Sequence, residues 1–176
     1  MQKGFTLIEL LVVIALIAVL AVAVILALNP AELLKQGRDS TRISDLANIN
    51  SALALYLADY VSPSMGNSNN CYGAISFTCN TRFTTGGTVI TVSSQAINGT
   101  GWIPVDLTVI SSGSPLPRYP VDPINNGTLF YAYKPSSTVG FYEINAVLES
   151  TKYSNQAATD GGSSSGVYEV GTDLSL

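Results

Sequence analysis

Glu9 is the residue whose surroundings most strongly suggest a function. It is a carboxylate in front of an apolar stretch, Leu10 to Leu28, which has 19 consecutive residues without a charge, glycine or proline. As a helix this stretch is about 28 Å long, close to the hydrocarbon thickness of a bilayer. A charge at membrane depth costs several kcal/mol unless it is paired or reaches an interface. Glu9 is therefore a candidate functional residue, and snorkelling of its side chain to the headgroups is the alternative.

The chain lacks the residues that most enzymes use near neutral pH. It contains no histidine, which excludes Ser-His-Asp and Cys-His nucleophiles, HExxH zinc sites and most general bases. Its 8 basic and 12 acidic residues give a net charge of −4. A duplex-DNA footprint needs a dense basic patch instead. We therefore predict that the protein is not an enzyme and binds no specific nucleic acid.

A cysteine pair and one acid are the remaining candidates for chemistry. Cys71 and Cys79 are the only cysteines, and seven residues of a Gly-, Ser- and Asn-rich connection separate them. On the outer side of a membrane we expect a disulfide, with two free thiols as the alternative. Asp122 lies between Pro120 and Pro123 and is the one weak candidate for a metal ligand. Calcium prefers six to eight oxygens with several carboxylates, so we expect no cofactor and interpret the prolines as giving a rigid turn.

The segment in front of the apolar run has a specific pattern. Gly4 to Glu9 reads GFTLIE and leads directly into the run. It resembles the class III signal of type IV pilins and type II secretion pseudopilins. The resemblance implies that a prepilin peptidase cuts after Gly4, on the cytoplasmic side, and N-methylates Phe5. Residues 1–4 would be the leader peptide. An ordinary secretory signal is cut after its apolar run, whereas this cut would leave the membrane anchor in place.

The resemblance also implies an assembly role for Phe5 and Glu9. In that family the Glu at this position docks each subunit onto the growing filament. The amine freed on Phe5 could pair with Glu9 of a neighbouring copy, and because desolvation offsets much of the attraction, the pair should select register more than it adds stability. The implied partners are other copies in a helical filament, the prepilin peptidase, the pilus assembly ATPase with its platform machinery, and the inner membrane.

The predicted function is that of a structural subunit of a type IV pilus. A pseudopilin of a type II secretion or competence system is one alternative, and the segment around Asp122 resembles the Asp-Pro loop of major pseudopilins. A single-pass, membrane-anchored binding module is the other. The precursor is expected in the cytoplasmic membrane with its N-terminus inside, and the processed form in an extracellular or periplasmic filament. Basic residues are more numerous after the span than before it, which conflicts with this orientation; we follow the peptidase signal.

Four segments follow from this interpretation, within an α+β fold. The leader, residues 1–4, precedes a transmembrane and filament-core helix over 5–28 and its amphipathic continuation over 29–61. Pro30 is expected to break the helix, and Gly37 is a second weak point. The charged residues from Glu32 to Asp45 are interpreted as a solvated helix face, spaced for Glu32–Lys35 and Lys35–Asp39 contacts. The residues predicted to form the buried face of this helix recur at intervals of three and four and include Ile43, Leu46, Ala47, Asn50, Leu53, Ala54 and Leu57.

The last segment, 62–176, is expected to be a small antiparallel sheet with variable loops, packed on the second half of the helix. Its predicted strands are Thr88–Ser93, Leu129–Tyr133, Phe141–Leu148 and an edge strand over Val167–Val170. The second and third of these flank Pro135-Ser136-Ser137-Thr138 and should form a hairpin. Trp102 should anchor a turn against the core, and Ser154 to Gly166 should be a surface loop.

Overall fold

The computed structural model describes residues 4–176, so the predicted leader lies outside the described residues except for Gly4. The chain forms two compact units that divide after Lys35, and we call the second unit, Gln36–Leu176, the head. The fold is α+β, as predicted. Its helices are α1 (Leu7–Leu28) and α2 (Pro30–Asp59), and its strands are β1 (Asn70–Gly73), β2 (Thr88–Thr91), β3 (Ala132–Pro135), β4 (Tyr142–Ala146) and β5 (Tyr168–Gly171).

A single residue separates the two helices. Asn29 has φ 41° and ψ 73°, in the left-handed region that Asn tolerates better than most non-glycine residues. Pro30 then occupies the first position of α2, where its missing N–H removes no helical hydrogen bond and its fixed φ suits a helix start. Gly37 lies within α2 and does not interrupt it. An isolated glycine costs only about 1 kcal/mol in a helix, which packing elsewhere in α2 can offset.

The sheet has five strands in the order β2-β1-β3-β4-β5 and is mixed rather than purely antiparallel. β1 pairs with β2 in parallel, and the other neighbouring pairs are antiparallel. The predicted hairpin is present as β3 and β4, with Tyr133 opposite Ile144. Three of the four pairings are antiparallel, as predicted, and the parallel one was not predicted because β1 is only four residues long and its partner β2 follows a long crossover.

One face of the sheet packs against α2 and forms the main core. Tyr72, Tyr133 and Ile144 face this helix on adjacent strands. The helix contributes buried residues at positions 46, 49, 52, 53 and 56. Ala47 and Ala54, which the sequence pattern placed on the buried face, are exposed, so the buried stripe is shifted relative to the prediction. Trp102 is fully buried in the same core, as expected for an anchor.

The opposite face of the sheet, which we call the second face, is buried as well. It carries an apolar cluster that includes Cys71, Phe83 and Ala132. It also carries four buried polar side chains, namely Lys134, Glu143, Asn145 and Glu169. Because buried polar groups need partners, this face requires specific hydrogen bonds where the helix face requires packing.

Candidate functional site

The predicted assembly residue Glu9 closes the start of α1. Thr6 is the N-cap, and Glu9 Oε2 accepts hydrogen bonds from Thr6 N and Thr6 Oγ1, both at 2.8 Å. Thr6 Oγ1 in turn accepts from Glu9 N at 3.3 Å. This reciprocal capping box satisfies backbone donors that the first helical turn leaves without partners. The carboxylate is thus held within its own chain by one residue, and it remains exposed.

The residues around Glu9 present an apolar surface. Phe5 is 86% exposed, and the side chains of Ile8, Val12 and Val13 are also exposed. The span Leu7–Ile25 is long and apolar enough to cross a membrane, and none of it is buried. An uncovered surface of this kind requires lipid or other protein chains around it.

A second constellation lies inside the head at the start of its helix. The guanidinium of Arg42 is fully buried and forms a fork with Asp122, with Nε to Oδ2 at 2.6 Å and Nη2 to Oδ1 at 3.0 Å. Its Nη1 donates to Asp39 at 2.8 Å and to Glu149 at 2.6 Å. Burial alone would lower the pKa of Arg42, but its hydrogen bonds to these three carboxylates raise it. Arg42 therefore joins three separate segments through one permanent charge.

The acids of this cluster have further partners. Asp39 is fully buried and accepts from Glu149 N, Ser150 N and Ser150 Oγ at 2.6–3.0 Å. Arg38 forms a second fork with Glu149, at 2.8 and 2.9 Å. This hydrogen bonding from Arg38 lowers the pKa of Glu149 to about 2. Two arginines and three carboxylates, all hydrogen-bonded, thus fasten α2 to the segments around Asp122 and Glu149.

The sequence interpretation of these residues was wrong in two respects. Asp39 and Arg42 were assigned to a solvated helix face, yet both are fully buried. Lys35 was expected to contact Asp39, but the partners of the Asp39 carboxylate are Arg42 and the backbone at 149–150. The position of Arg42 could have indicated its burial. It lies four residues before Leu46 and therefore on the same buried face of α2.

The cysteines and the Asp122 segment form two local constraints. Cys71 and Cys79 are joined in a disulfide, between β1 and the 3₁₀ helix Cys79–Thr81. Asp122 Oδ1 also accepts from Ile124 N and Asn125 N, which shapes the turn after Pro123. A calcium ion at Asp122 would have to displace Arg42. Among residues 4–176, no group of three or more His, Cys, Asp or Glu side chains could hold a metal.

Buried tyrosines attach loops to the core of the head. Tyr133 Oη donates to Met65 O and Tyr119 Oη to Val105 O, at 2.8 and 2.9 Å. Tyr72 Oη accepts from Asn67 N at 2.9 Å, and Tyr56 Oη accepts from Ser64 N at the same distance. In each case the ring lies in the core while its hydroxyl fixes one point of a loop backbone. Sequence periodicity gave no indication of these attachments.

Comparison with known proteins gives a match for the N-terminal segment. Residues 1–25 match the family described as "Prokaryotic N-terminal methylation motif". No curated protein and no solved structure matches the chain. The matched segment contains Gly4, Phe5 and Glu9, and it confirms the class III signal that the sequence predicts.

Proposed function

We propose that this chain is the precursor of a type IV pilus subunit. Its first 25 residues carry the methylation motif that is the hallmark of type IV pilins and pseudopilins. The motif supports a pilin-like or pseudopilin precursor, which is a structural subunit rather than an enzyme. The finer assignment to a pilus rests on the disulfide and on the long polar loops of the head, which suit an external filament.

The observation that carries the proposal is the uncovered apolar surface of α1. Its span has no buried share and includes one acid, Glu9, near its start. Lipid covers this surface in the precursor, and neighbouring copies cover it in a filament. Because lipid tails are as apolar as these side chains, assembly must draw on close packing and polar pairing. Ala15, Ala18 and Ala21 allow close helix approach.

Glu9 provides the polar part of that assembly. In the free chain Thr6 supplies two donors to its carboxylate. After cleavage behind Gly4, the amine of Phe5 on an incoming copy would add a cationic donor. A hydrogen-bonded ion pair between desolvated groups is stronger than a neutral hydrogen bond and depends on position, so it favours one register of neighbouring helices.

The remaining parts of the proposal concern partners and location. A prepilin peptidase processes the precursor in the cytoplasmic membrane, with the N-terminus inside, and an assembly ATPase with its platform supplies the energy for extraction. The processed chain then joins copies of itself in an extracellular filament. A pseudopilin remains the second candidate, since the Asp122–Pro123 turn of the head is a fixed element before β3, like the Asp-Pro loop it resembles.

Mass spectrometry of the N-terminus tests the processing step. The expected product begins at Phe5 with a methylated amine, and co-expression with a prepilin peptidase should be required for it. A mature chain that retains Met1 would contradict the proposal and favour a permanently anchored module. The variant Gly4→Val should block the cut, because the resemblance assigns the cleavage to this position.

The Glu9→Gln variant tests assembly. Glutamine keeps the side-chain acceptor and is accepted in a capping box, so α1 should start as before, but the charge is lost. A loss of only ~1.4 kcal/mol per docking event lowers the association constant about tenfold. We expect sheared filament yield to fall at least that much, with normal membrane levels of processed chain. Glu32→Gln, which removes an acid outside the span, is the matched control. Equal yields from both variants would refute the role of Glu9.

A further inference from the structure

The second face of the sheet contains two carboxyl groups in contact. Glu143 on β4 pairs with Gly171, and Asn145 pairs with Glu169 on β5, so the two glutamates are diagonal neighbours on the same face. Their carboxyl groups are close enough that each shifts the pKa of the other. Glu143 is 0% and Glu169 is 2% exposed. Two ionised carboxylates buried side by side would repel, so the closed sheet favours a state in which one of the two carries a proton.

The cations on the second face have other hydrogen-bond partners than the pair. Lys134 on β3 lies opposite Glu143 in the strand register and attracts it, but its Nζ donates to Gly86 O at 3.0 Å and to Ser68 O at 3.2 Å. Arg82 donates to Thr128 O and stacks over Phe130. Among the residues that the structure describes, neither cation forms a salt bridge with Glu143 or Glu169.

The other neighbours of the pair are neutral or acidic. Asn145 Nδ2 donates to Glu143 Oε1 at 2.8 Å, while Glu143 Oε2 and Asn145 Oδ1 are buried without a hydrogen-bond partner in the described part of the chain. Asp160 accepts from Glu169 N at 2.7 Å and adds a further negative charge. The donors beside the pair, Asn145 Nδ2, Ser163 Oγ and Ser164 N, are all neutral, so the pair is stable only while its proton is retained.

Glu169 also connects the edge of the sheet to the loop that covers it. Its Oε2 accepts from Ser164 N at 3.0 Å, and its backbone N–H is the one that Asp160 binds. β5 is an edge strand held by β4 on one side, so it can separate without disturbing the order of the other strands. The contact between Glu143 and Glu169 is therefore the point where edge strand, loop and sheet interior meet.

We propose that a proton shared by Glu143 and Glu169 keeps β5 and the 160–164 loop bound to the sheet. Loss of this proton in mildly alkaline solution opens this edge of the head. When both carboxyl groups are ionised, two adjacent buried negative charges repel. β5 then moves to where the carboxylates can be hydrated, and the main core on the helix face loses only the partly buried side chains of Tyr168 and Val170.

The pH range follows from the burial of the pair. Burial raises the pKa of Glu143 to about 8 and also raises the pKa of Glu169. In the closed state the pair holds a proton that the open state releases above the ordinary glutamate pKa of 4.5. The closed state therefore loses stability as pH rises towards 8, and the opening constant increases by up to about tenfold per pH unit.

Other titrating groups of this region do not produce the same effect. Burial lowers the pKa of Lys134, which gives stability that rises with pH, the opposite sign. Burial lowers the pKa of Arg82 to about 10, and the buried Tyr142 has its pKa raised to about 12, so both titrate above the relevant range. Burial also raises the pKa of Tyr168 on β5 from its ordinary value of 10, so it titrates above this range as well. Between pH 6 and pH 9 the glutamate pair is therefore the group among these whose titration lowers stability as pH rises.

Hydrogen exchange of the full chain in detergent micelles tests the proposal. After correction for intrinsic exchange rates, the opening constant of the β5 amides, 168–171, should rise by up to about tenfold per pH unit between pH 6 and pH 8. The amides of β1 should show no such change. Glu143→Gln carries a permanent donor where the proton sits, so it should keep β5 closed and make its exchange independent of pH. Asp173→Asn removes one charge just after β5, and it should behave like the unchanged chain.

Two results would overturn the proposal. The first is that the opening constant of the β5 amides in the unchanged chain does not depend on pH between 6 and 9. This measurement needs no variant. The second is a Glu143→Gln chain that folds and still opens at β5 with rising pH as the Asp173→Asn chain does. Glu169→Gln provides an independent chain for the second comparison if Glu143→Gln does not fold.

Discussion

Replacing Arg42 by alanine should weaken the attachment of the segments around Asp122 and Glu149 to the start of α2. The guanidinium makes four hydrogen bonds to three carboxylates, and its side chain and those of Asp39 and Asp122 have no exposed area. Removal leaves two buried carboxylates without their cation. Removing one partner of a buried ion pair costs about 3–5 kcal/mol, because the remaining charge is left uncompensated.

Remaining donors limit that cost. Asp122 keeps the backbone N–H groups of Ile124 and Asn125, and Asp39 keeps those of Glu149 and Ser150. We therefore expect Arg42→Ala to lower the free energy of unfolding by about 3–5 kcal/mol rather than by a larger sum over all partners. Folded domains are stable by only about 5–15 kcal/mol, so the variant should be close to the limit of folding.

Trp102 provides the assay. It is the only tryptophan, it is fully buried, and its Nε1 donates to Pro120 O at 3.0 Å, two residues before Asp122. Its fluorescence during urea unfolding of the full chain in micelles should report the attachment of this loop. Arg38→Ala is the control, because its side chain is 30% exposed and partly exposed pairs contribute about 1 kcal/mol or less. Equal losses in the two variants would refute the reasoning.

Two further predictions concern the disulfide and Glu149. Reducing the Cys71–Cys79 disulfide should lower the free energy of unfolding by about 2–3 kcal/mol. Urea titration with and without a dithiol reductant measures this change. An unchanged unfolding midpoint would contradict stabilisation by loop closure. Because Arg38 lowers the pKa of Glu149 to about 2, the ion pair contributes stability above pH 4.5 that is lost as pH falls towards 2. Glu149→Gln should flatten this acid limb, and an acid limb as steep as that of the unchanged chain would argue against the pair.

The sequence predicted those parts of the structure that local patterns determine. The α1 helix follows from an apolar run without glycine or proline, and the break follows from the steric demands of Asn29 and Pro30. The β3–β4 hairpin was recognisable because two β-prone runs flank a short turn. The N-terminal signal was recognisable because its residue types and order are specific, and the motif match confirms it.

The remaining features depend on contacts between distant segments. The parallel pairing of β1 with β2 arises from a crossover, and the four residues of β1 are too few to show an alternating pattern. Arg42 and Asp39 looked like surface charges because their partners, Asp122 and Glu149, lie 80 and 107 to 110 residues further along the chain. The buried acids of the second face have the same origin, since alternation along β4 cannot reveal that both faces of the sheet are covered.

The hydroxyl attachments of the buried tyrosines determine how the outer surface of the head can change. Each attachment fixes a single backbone atom, such as Met65 O or Val105 O, while the residues on either side remain near solvent. The exposed residues between attachments can therefore be exchanged without altering the ring packing below them, whereas buried loop residues such as Trp102 and Leu107 cannot. Diversity at the exterior and constancy of the interior are compatible in this architecture, because the exposed loop positions are separate from the buried side chains and hydroxyl attachments that hold each loop.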